Sequence, residues 1–400
     1  MSNYIEYKDS LAFHPGYYIE EIVEESGLTQ ADFAKRLGTT PKNLSLLMRG
    51  RQSLSVDMAM KLSRLLGTTV HYWLNLQNAY DTAIAQIASE EELEREKDVL
   101  KLLGYDYFRD NFGLPDLPRR LGEQVERVRT FLDVASLTVL TDRDMAVSFR
   151  SSTGTMSEGG IAKANTMVQI ATNKAVATVA PKFDRKRFKE AIEFALTQTT
   201  NHEGFYPLIR ERFLEAGVVL VVLPNLPGSK TNGATKRVGK SVMMMVNDRR
   251  LYADSFWFTL LHEAGHVIYG DYGISFESDA GDIEQKADEY AENKLIDPWL
   301  YQDFVRRSKG RFTMPFITAF AASIDRDPGI VLGRLENDGY LKHRNGMQSL
   351  RCKYHVSVEC PLSIRFYQVV RHSFPHLRYV PGQGWKTSPR AAHPGHQTAS

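Results

Sequence analysis

The chain has 400 residues, 42% hydrophobic and 24% charged, a balance that excludes an intrinsically disordered protein and allows two or three domains. A formal net charge of only +2 excludes nucleic-acid binding by bulk charge, so any such contact must come from a local patch. Two cysteines, Cys352 and Cys360, exclude a disulfide scaffold and fit a reducing cytoplasm. The opening MSNYIEYKDSLAF has no basic segment followed by an apolar run, so no signal peptide is expected. No apolar stretch approaches a membrane span, and no membrane partner is expected.

The first elements lie in 29-TQADFAKRLGTTPKNLSLLMRGRQ-52. Thr29 is a good N-cap, and Phe33, Ala34 and Leu37 make one apolar stripe that Gly38 closes. Thr39 or Thr40 caps a second helix, with Pro41 in its first turn and Leu44 and Leu47 on its buried face. A third helix, capped by Ser55, turns Met58, Ala59, Leu62 and Leu65 inward. Two short helices around a glycine-containing turn form a helix-turn-helix pattern. Lys42, Asn43 and Ser45 then occupy the part of the second helix that reaches base edges in a major groove. Gln30 and the N–H groups around it can donate to a phosphate, and Arg49 and Arg51 flank Gly50 as electrostatic contacts to the DNA backbone. Spacing alone leaves a second reading open, a small helical bundle with a solvated polar face.

The stretch TQADFAKRLGTTPKNLSLLMRGRQSLS resembles the phage-repressor (XRE/Cro) helix-turn-helix family. The wider frame, from HPGYYIEEIVEESGLTQ to MAMKLSRLLGTTVHYWLNLQNAYD, resembles the HigA-type antitoxin version of that domain. The resemblance implies an all-α domain that binds operator DNA through Gln30, Thr40, Lys42 and Asn43, with Trp73 in its core. Leu46 departs from the pattern, since relatives often carry a polar base-reading side chain there; it can meet a thymine methyl or pack in a dimer. A homodimer on a two-fold operator is expected.

Residues 82 to 103, TAIAQIASEEELEREKDVLKLL, read as an exposed helix or helical linker, broken by Gly113, Pro115 and Pro118. From 119 to 215 helical patterns alternate with polar stretches such as 151-SSTGTMSEGG-160, expected as a surface loop. A helix ends at Gly217 and the apolar run VVLVVLP reads as a buried strand. The stretch 229-SKTNGATKRVGKSVMMMVND-248 reads as a loop leading to a second apolar run, which either pairs with the first or fills a core. Its basic residues Lys230, Lys236, Arg237 and Lys240 read as a solvated loop face.

In DSFWFTLLHEAGHVIYG apolar residues cover most of the circumference, so the helix is buried. His262 and His266 lie four apart on one face and can converge on one tetrahedral ion, with Glu263 beside them to hold a bound water as general base. Glu284 follows eighteen residues past His266 in 284-EQKADEYAENKLIDP-298, and Asp288 lies one turn beyond it. A liganding carboxylate followed by an acid that orients a ligand histidine makes chemical sense, and small residues at 287 and 291 allow close helix approach. A chance HExxH in a core helix is the competing reading. An unpaired Glu263 in an apolar helix would be costly and weighs against it.

The stretch FWFTLLHEAGH and the E-x-x-A-D-x-Y-A at 284 to 291 resemble the ImmA/IrrE metallopeptidases, a gluzincin-like family. GVVLVVLPNLPGSKTNGATK and DPGIVLGRLENDGYL look like the same family, extending the likeness over roughly 120 to 345. It implies a Zn2+ ion held by His262, His266 and Glu284, with Glu263 as catalytic base and Asp288 supporting the ligands from behind. It also implies a repressor-type protein as substrate. Tyr252, Tyr269 and Tyr272 are oxyanion candidates by proximity only.

Beyond about 355 the pattern decays into a basic tail expected to be poorly ordered. Cys352, His355, Cys360 and His372 match no common zinc-module spacing. The expected organisation is a helix-turn-helix domain at 1–81, a charged helical linker at 82–118, an α+β, mainly helical, gluzincin-like zinc peptidase domain at 119–354, and a tail at 355–400. Such a chain would bind operator DNA and cleave a repressor, an antitoxin or its own linker. The competing reading is a HigA-like antitoxin that binds DNA and a cognate toxin, its metal domain acting as a sensor or binding module.

Overall fold

The structure, a computed structural model, describes residues 4–7, 10–143, 145, 157–250, 252–276, 281–343, 346–354, 356–360, 363–366, 377–380 and 384–387. The chain divides into two units, Met1–Leu100 with Arg119–Val125, and Lys101–Pro118 with Glu126–Ser400. No helix among the described residues is long and apolar enough to cross a membrane.

The first unit opens with an antiparallel pair, β1 (Tyr4–Tyr7) and β2 (Ser10–Phe13). Then come α1 (Pro15–Glu25), α2 (Gln30–Leu37), α3 (Pro41–Met48), α4 (Val56–Leu66) and α5 (Val70–Leu103). The local signals act as expected. Thr29, Thr40 and Ser55 each accept a hydrogen bond from the backbone N–H three residues on, and Gly38 closes α2 at φ +69°. Phe33, Leu37, Leu44, Leu47, Leu62 and Trp73 meet in one core. Two readings need correction. Leu65 is 39% exposed: the apolar period of α4 runs one turn past the surface that packs. The boundary placed between 81 and 82 falls inside α5, which continues without a break for 34 residues because Gly104 is the first helix-ending residue it meets.

The second unit begins with α6 (Tyr105–Phe112); α7 (Leu121–Leu132) follows, its first turns counted with the first unit. A short 3-10 turn at Leu137–Thr141 precedes α8 (Glu158–Val176), α9 (Arg185–Leu196) and α10 (Phe205–Glu215). Of the surface loop expected at 151–160, residues 151–156 lie outside the described residues, Ser157 caps α8, and 158–160 are its first turn. Next come β3 (Val218–Leu223), β4 (Thr231–Val238), β5 (Ser241–Asn247), α11 (Ala253–Tyr269), β6 (Gly273–Phe276) and α12 (Asp282–Leu295). The helices α13 (Pro298–Ser308), α14 (Met314–Ser323) and α15 (Pro328–Asn337) complete the fold around the sheet.

The sheet order is β3-β5-β4-β6, with β3 and β5 parallel and β4 antiparallel to both neighbours. The two apolar runs therefore pair. The stretch expected as a loop is instead the inner strand β4, which carries Lys236 and Arg237. It escapes a hydrophobic-pattern reading because Gly233, Ala234 and Thr235 are small or polar yet buried. In the tail, the described residues form two antiparallel pairs, β7 (Val356–Cys360) with β8 (Ser363–Phe366) and β9 (Leu377–Val380) with β10 (Gly384–Thr387). His355 and His372 lie outside the described residues.

The correction at α4 can be measured. Leu62, fully buried, should cost about 2–5 kcal/mol when replaced by alanine. Leu65→Ala should stay within about 0.5 kcal/mol in the same urea unfolding experiment. Equal losses would put Leu65 back in the core.

Candidate metal centre and nucleic-acid interface

In the first unit the expected contact residues divide into two groups. Gln30 and Thr40 have structural tasks: Gln30 Nε2 donates to the Pro41 carbonyl at 3.0 Å, and Thr40 Oγ1 accepts from Asn43 N–H at 3.1 Å. These bonds lock the start of α3 against α2, so Gln30 spends a donor that the sequence assigns to phosphate. Lys42 and Asn43 stand exposed on the first turn of α3, Ser45 and Leu46 are half-buried, and Arg49 and Arg51 are exposed on either side of Gly50. Lys42 thus projects from the N-terminal end of α3, and the two arginines from just past its C-terminal end.

The second candidate site lies in the second unit. The helix α11 buries thirteen of its residues, His262, Glu263 and His266 among them, and α12 packs along it. A Cβ at position 265 would lie 3.2 Å from the Tyr290 ring and 3.4 Å from Ala287 Cα, so a glycine there permits the close approach. Across this seam His262 Nε2 lies 3.0 Å from His266 Nε2 and 3.1 Å from Glu284 Oε2, and His266 Nε2 lies 3.5 Å from Glu284 Oε1. One ligand atom from each of the three side chains falls within 4.8 Å of the others. Asp288 Oδ1 sits 2.8 Å from His262 Nδ1, on the far side of the ring from Glu284.

Burial disfavours a charged His262, but the Asp288 and Glu284 carboxylates overcome it and push its pKa up to about 9. Burial likewise favours a protonated Glu284, and its hydrogen bonds to His262 and His266 outweigh that, bringing it down to about 2. The cluster is held together as imidazole against carboxylate, with every donor atom turned to one point. Two imidazole nitrogens and a carboxylate oxygen are a zinc-type donor set, so the residues present fit that ion.

Glu263 is fully buried beside the cluster, and its carboxylate lies against β4. A Cβ at position 233 would sit 2.4 Å from Glu263 Oε1. Sequence reading missed Gly233, although a glycine inside a strand is a known sign of close approach by another group. The rings of the three tyrosines considered as oxyanion groups pack against other side chains: Tyr252 against Arg351 and Lys353, Tyr269 against Tyr290, and Tyr272 against Arg237. One turn from His262 and Asp288 along the same two helices, Phe258 and Glu292 border a cavity of about 510 Å³ that also takes in Arg334 and Glu336. It offers a concave surface of mixed charge next to the cluster.

Comparison with known proteins concerns the first unit. A helix-turn-helix family model matches residues 19–73. The uncharacterized HTH-type transcriptional regulator YddM of Escherichia coli (strain K12) is 38% identical over 72 residues, which make up 18% of this chain and 77% of that protein. Virulence-associated protein I of Dichelobacter nodosus is 34% identical over 76 residues, 19% of this chain and 70% of that protein. Among solved structures, an addiction module antidote protein of a HigA family from Coxiella burnetii is 32% identical, covering 21% of this chain and 92% of that one, with a TM-score of 0.20.

The His262, His266 and Glu284 cluster carries a prediction about zinc. Removing the carboxylate behind His262 with Asp288→Ala should weaken zinc binding roughly 10–100-fold, whereas His262→Ala should abolish it at this site. Competition with a chromophoric chelator measures both, and an unchanged affinity in Asp288→Ala would remove Asp288 from the centre.

Proposed function

We propose that this chain, which belongs to the helix-turn-helix transcriptional regulators through its N-terminal domain, is a cytoplasmic, antitoxin-like regulator that binds operator DNA and also carries a zinc-dependent endopeptidase of ImmA/IrrE type. The exposed first turn of α3, with Arg49 and Arg51 beyond it, supports the DNA-binding half. A homodimer would set two such turns on a two-fold operator. The observation that carries the peptidase half is the convergence of His262, His266 and Glu284 with Glu263 buried alongside.

Zinc, when bound, supplies Lewis acidity that makes a water nucleophilic at neutral pH and polarises the carbonyl it attacks. The protein's own residues do the rest. Asp288 accepts the Nδ1 proton of His262, which leaves the Nε2 lone pair facing the centre. Glu263 takes the proton of the attacking water on its carboxylate and returns it to the leaving amine. The neighbouring β4 fixes the carboxylate's position, since its backbone leaves room for Glu263 only at a glycine.

The fold bears on the choice of substrate. A peptidase cleft takes extended chain, and residues 82–103 are helical, so most of the charged linker would have to unwind before it could be cut. Within the linker, residues 113–118 after α6 lie outside any helix or strand. This favours a separate repressor-type protein as substrate over the chain itself.

Two experiments test the halves separately. Glu263→Gln should retain zinc at this centre and lose cleavage of a partner repressor by about 10²–10⁴-fold, read by intact mass, while His262→Ala should lose both the zinc of this centre and the cleavage. If Glu263→Gln leaves repression and its relief unaltered, the metal domain is a sensor or binding module in an antitoxin-like repressor. For the DNA-binding half, Arg49→Ala and Arg51→Ala should each reduce the slope of log K against log salt by about 0.9. Unchanged slopes would place the operator on another face.

A further inference from the structure

Outside the HExxH centre, a second group of metal-ligating side chains converges in the second unit. His202 comes from the turn between α9 and α10, Asp327 is the N-cap of α15, and Cys352 lies in the segment that crosses the start of α11. His202 Nε2 lies 3.1 Å from Asp327 Oδ2 and 3.3 Å from Cys352 Sγ, and the three ligand atoms all fall within 4.8 Å of one another. Asp327 is buried and the other two are half-buried.

The geometry suits an ion better than a simple hydrogen-bonded knot. A single Nε2–H cannot point well along two directions, yet both a carboxylate and a sulfur crowd the same nitrogen. A tetrahedral zinc-type ion, with bonds of about 2.0–2.3 Å, sets such atoms about 3.3–3.6 Å apart, so a few tenths of an ångström of expansion would admit it. The two distances from His202 Nε2 fall in the same range as those among His262, His266 and Glu284.

The surroundings aim each ligand. His202 Nδ1 lies 2.9 Å from Tyr354 OH, which the Trp257 indole N–H of α11 also reaches, so the ring is turned with Nε2 toward the cluster. Asp327 Oδ1 accepts from Gly329 N–H at 2.8 Å, leaving Oδ2 for the group. Cys352 is placed by its neighbours: its carbonyl accepts from Ala253 N–H at 2.9 Å, Lys353 bridges Tyr252, and Arg351 pairs with Asp254 at 2.9 Å.

We propose that His202, Asp327 and Cys352 form a second metal site, with a mixed nitrogen, oxygen and sulfur donor set suited to zinc or a similar borderline divalent ion and one position open to water. On binding, the Cys352 thiol and His202 Nε2 each give up a proton to solvent, His202 keeps its remaining ring proton on Nδ1 toward the Tyr354 hydroxyl oxygen, and the sulfur and the Nε2 lone pair become ligands. The ion would clasp the α9–α10 turn and the start of α15 to the segment that runs over α11. This proposal is independent of peptidase activity.

Cobalt titration of the full chain tests it, because cobalt bound to a thiolate gives a near-ultraviolet charge-transfer band and the HExxH centre holds no sulfur. The expected result is two equivalents bound, with the thiolate band retained in His262→Ala and lost in Cys352→Ser and His202→Gln. If Cys352→Ser fails to fold by circular dichroism, Asp327→Asn keeps the capping oxygen and should weaken the band-forming equivalent at least tenfold. Saturation at one equivalent without a thiolate band overturns the proposal. So does a band that survives in Cys352→Ser, or that is indifferent to both His202→Gln and Asp327→Asn.

Discussion

Everything in the second unit is arranged around the burial of ionisable groups inside an apolar helix. His262, Glu263 and His266 on α11, with Glu284 on α12, are each less than a tenth exposed. Taking a charge out of water costs on the order of several kcal/mol unless a partner compensates. The compensation here comes from outside α11, so the partners must reach it at close quarters. The helix α12 arrives over Gly265 and Ala287, and β4 arrives over Gly233. In the sheet, β4 lies between β5 and β6, with Gly233 against the Glu263 carboxylate.

Where structure is set by neighbours in sequence, it was legible there. Caps at Thr29, Thr40 and Ser55, the left-handed Gly38 and the apolar spacing of α2 and α3 are all short-range signals, and the fold keeps them. The HExxH turn and the four-residue step from Glu284 to Asp288 are also local, so the residues of that centre could be named before their geometry was known. What escaped is set by distant packing. The strand β4 has no apolar alternation because its burial is decided by α11, and Gln30 is diverted by a carbonyl eleven residues away. The Cys352 cluster is the extreme case. Its histidine lies 150 residues away, so Cys352 was grouped with nearby His355, Cys360 and His372 instead.

The continuity of α5 changes how the middle of the chain is understood. Mixed charges spaced three and four apart read as an exposed helix or a helical linker, and they stabilise the helix found there, as the Glu92–Arg95 and Glu94–Lys97 pairs show. A helix engages every backbone N–H and carbonyl except those of its end turns. The charged stretch is the second half of one continuous helix of 34 residues.

The approach of β4 to Glu263 also has a genetic consequence. Every missense change reachable by one nucleotide from a glycine codon introduces a Cβ, and at position 233 that carbon falls 2.4 Å from the carboxylate oxygen. Any replacement at this position makes the Glu263 side chain move. Alleles in which the metal centre has been silenced while the N-terminal domain remains intact should therefore arise at codon 233 as readily as at the histidine codons themselves, although residue 233 binds no ion and donates no proton.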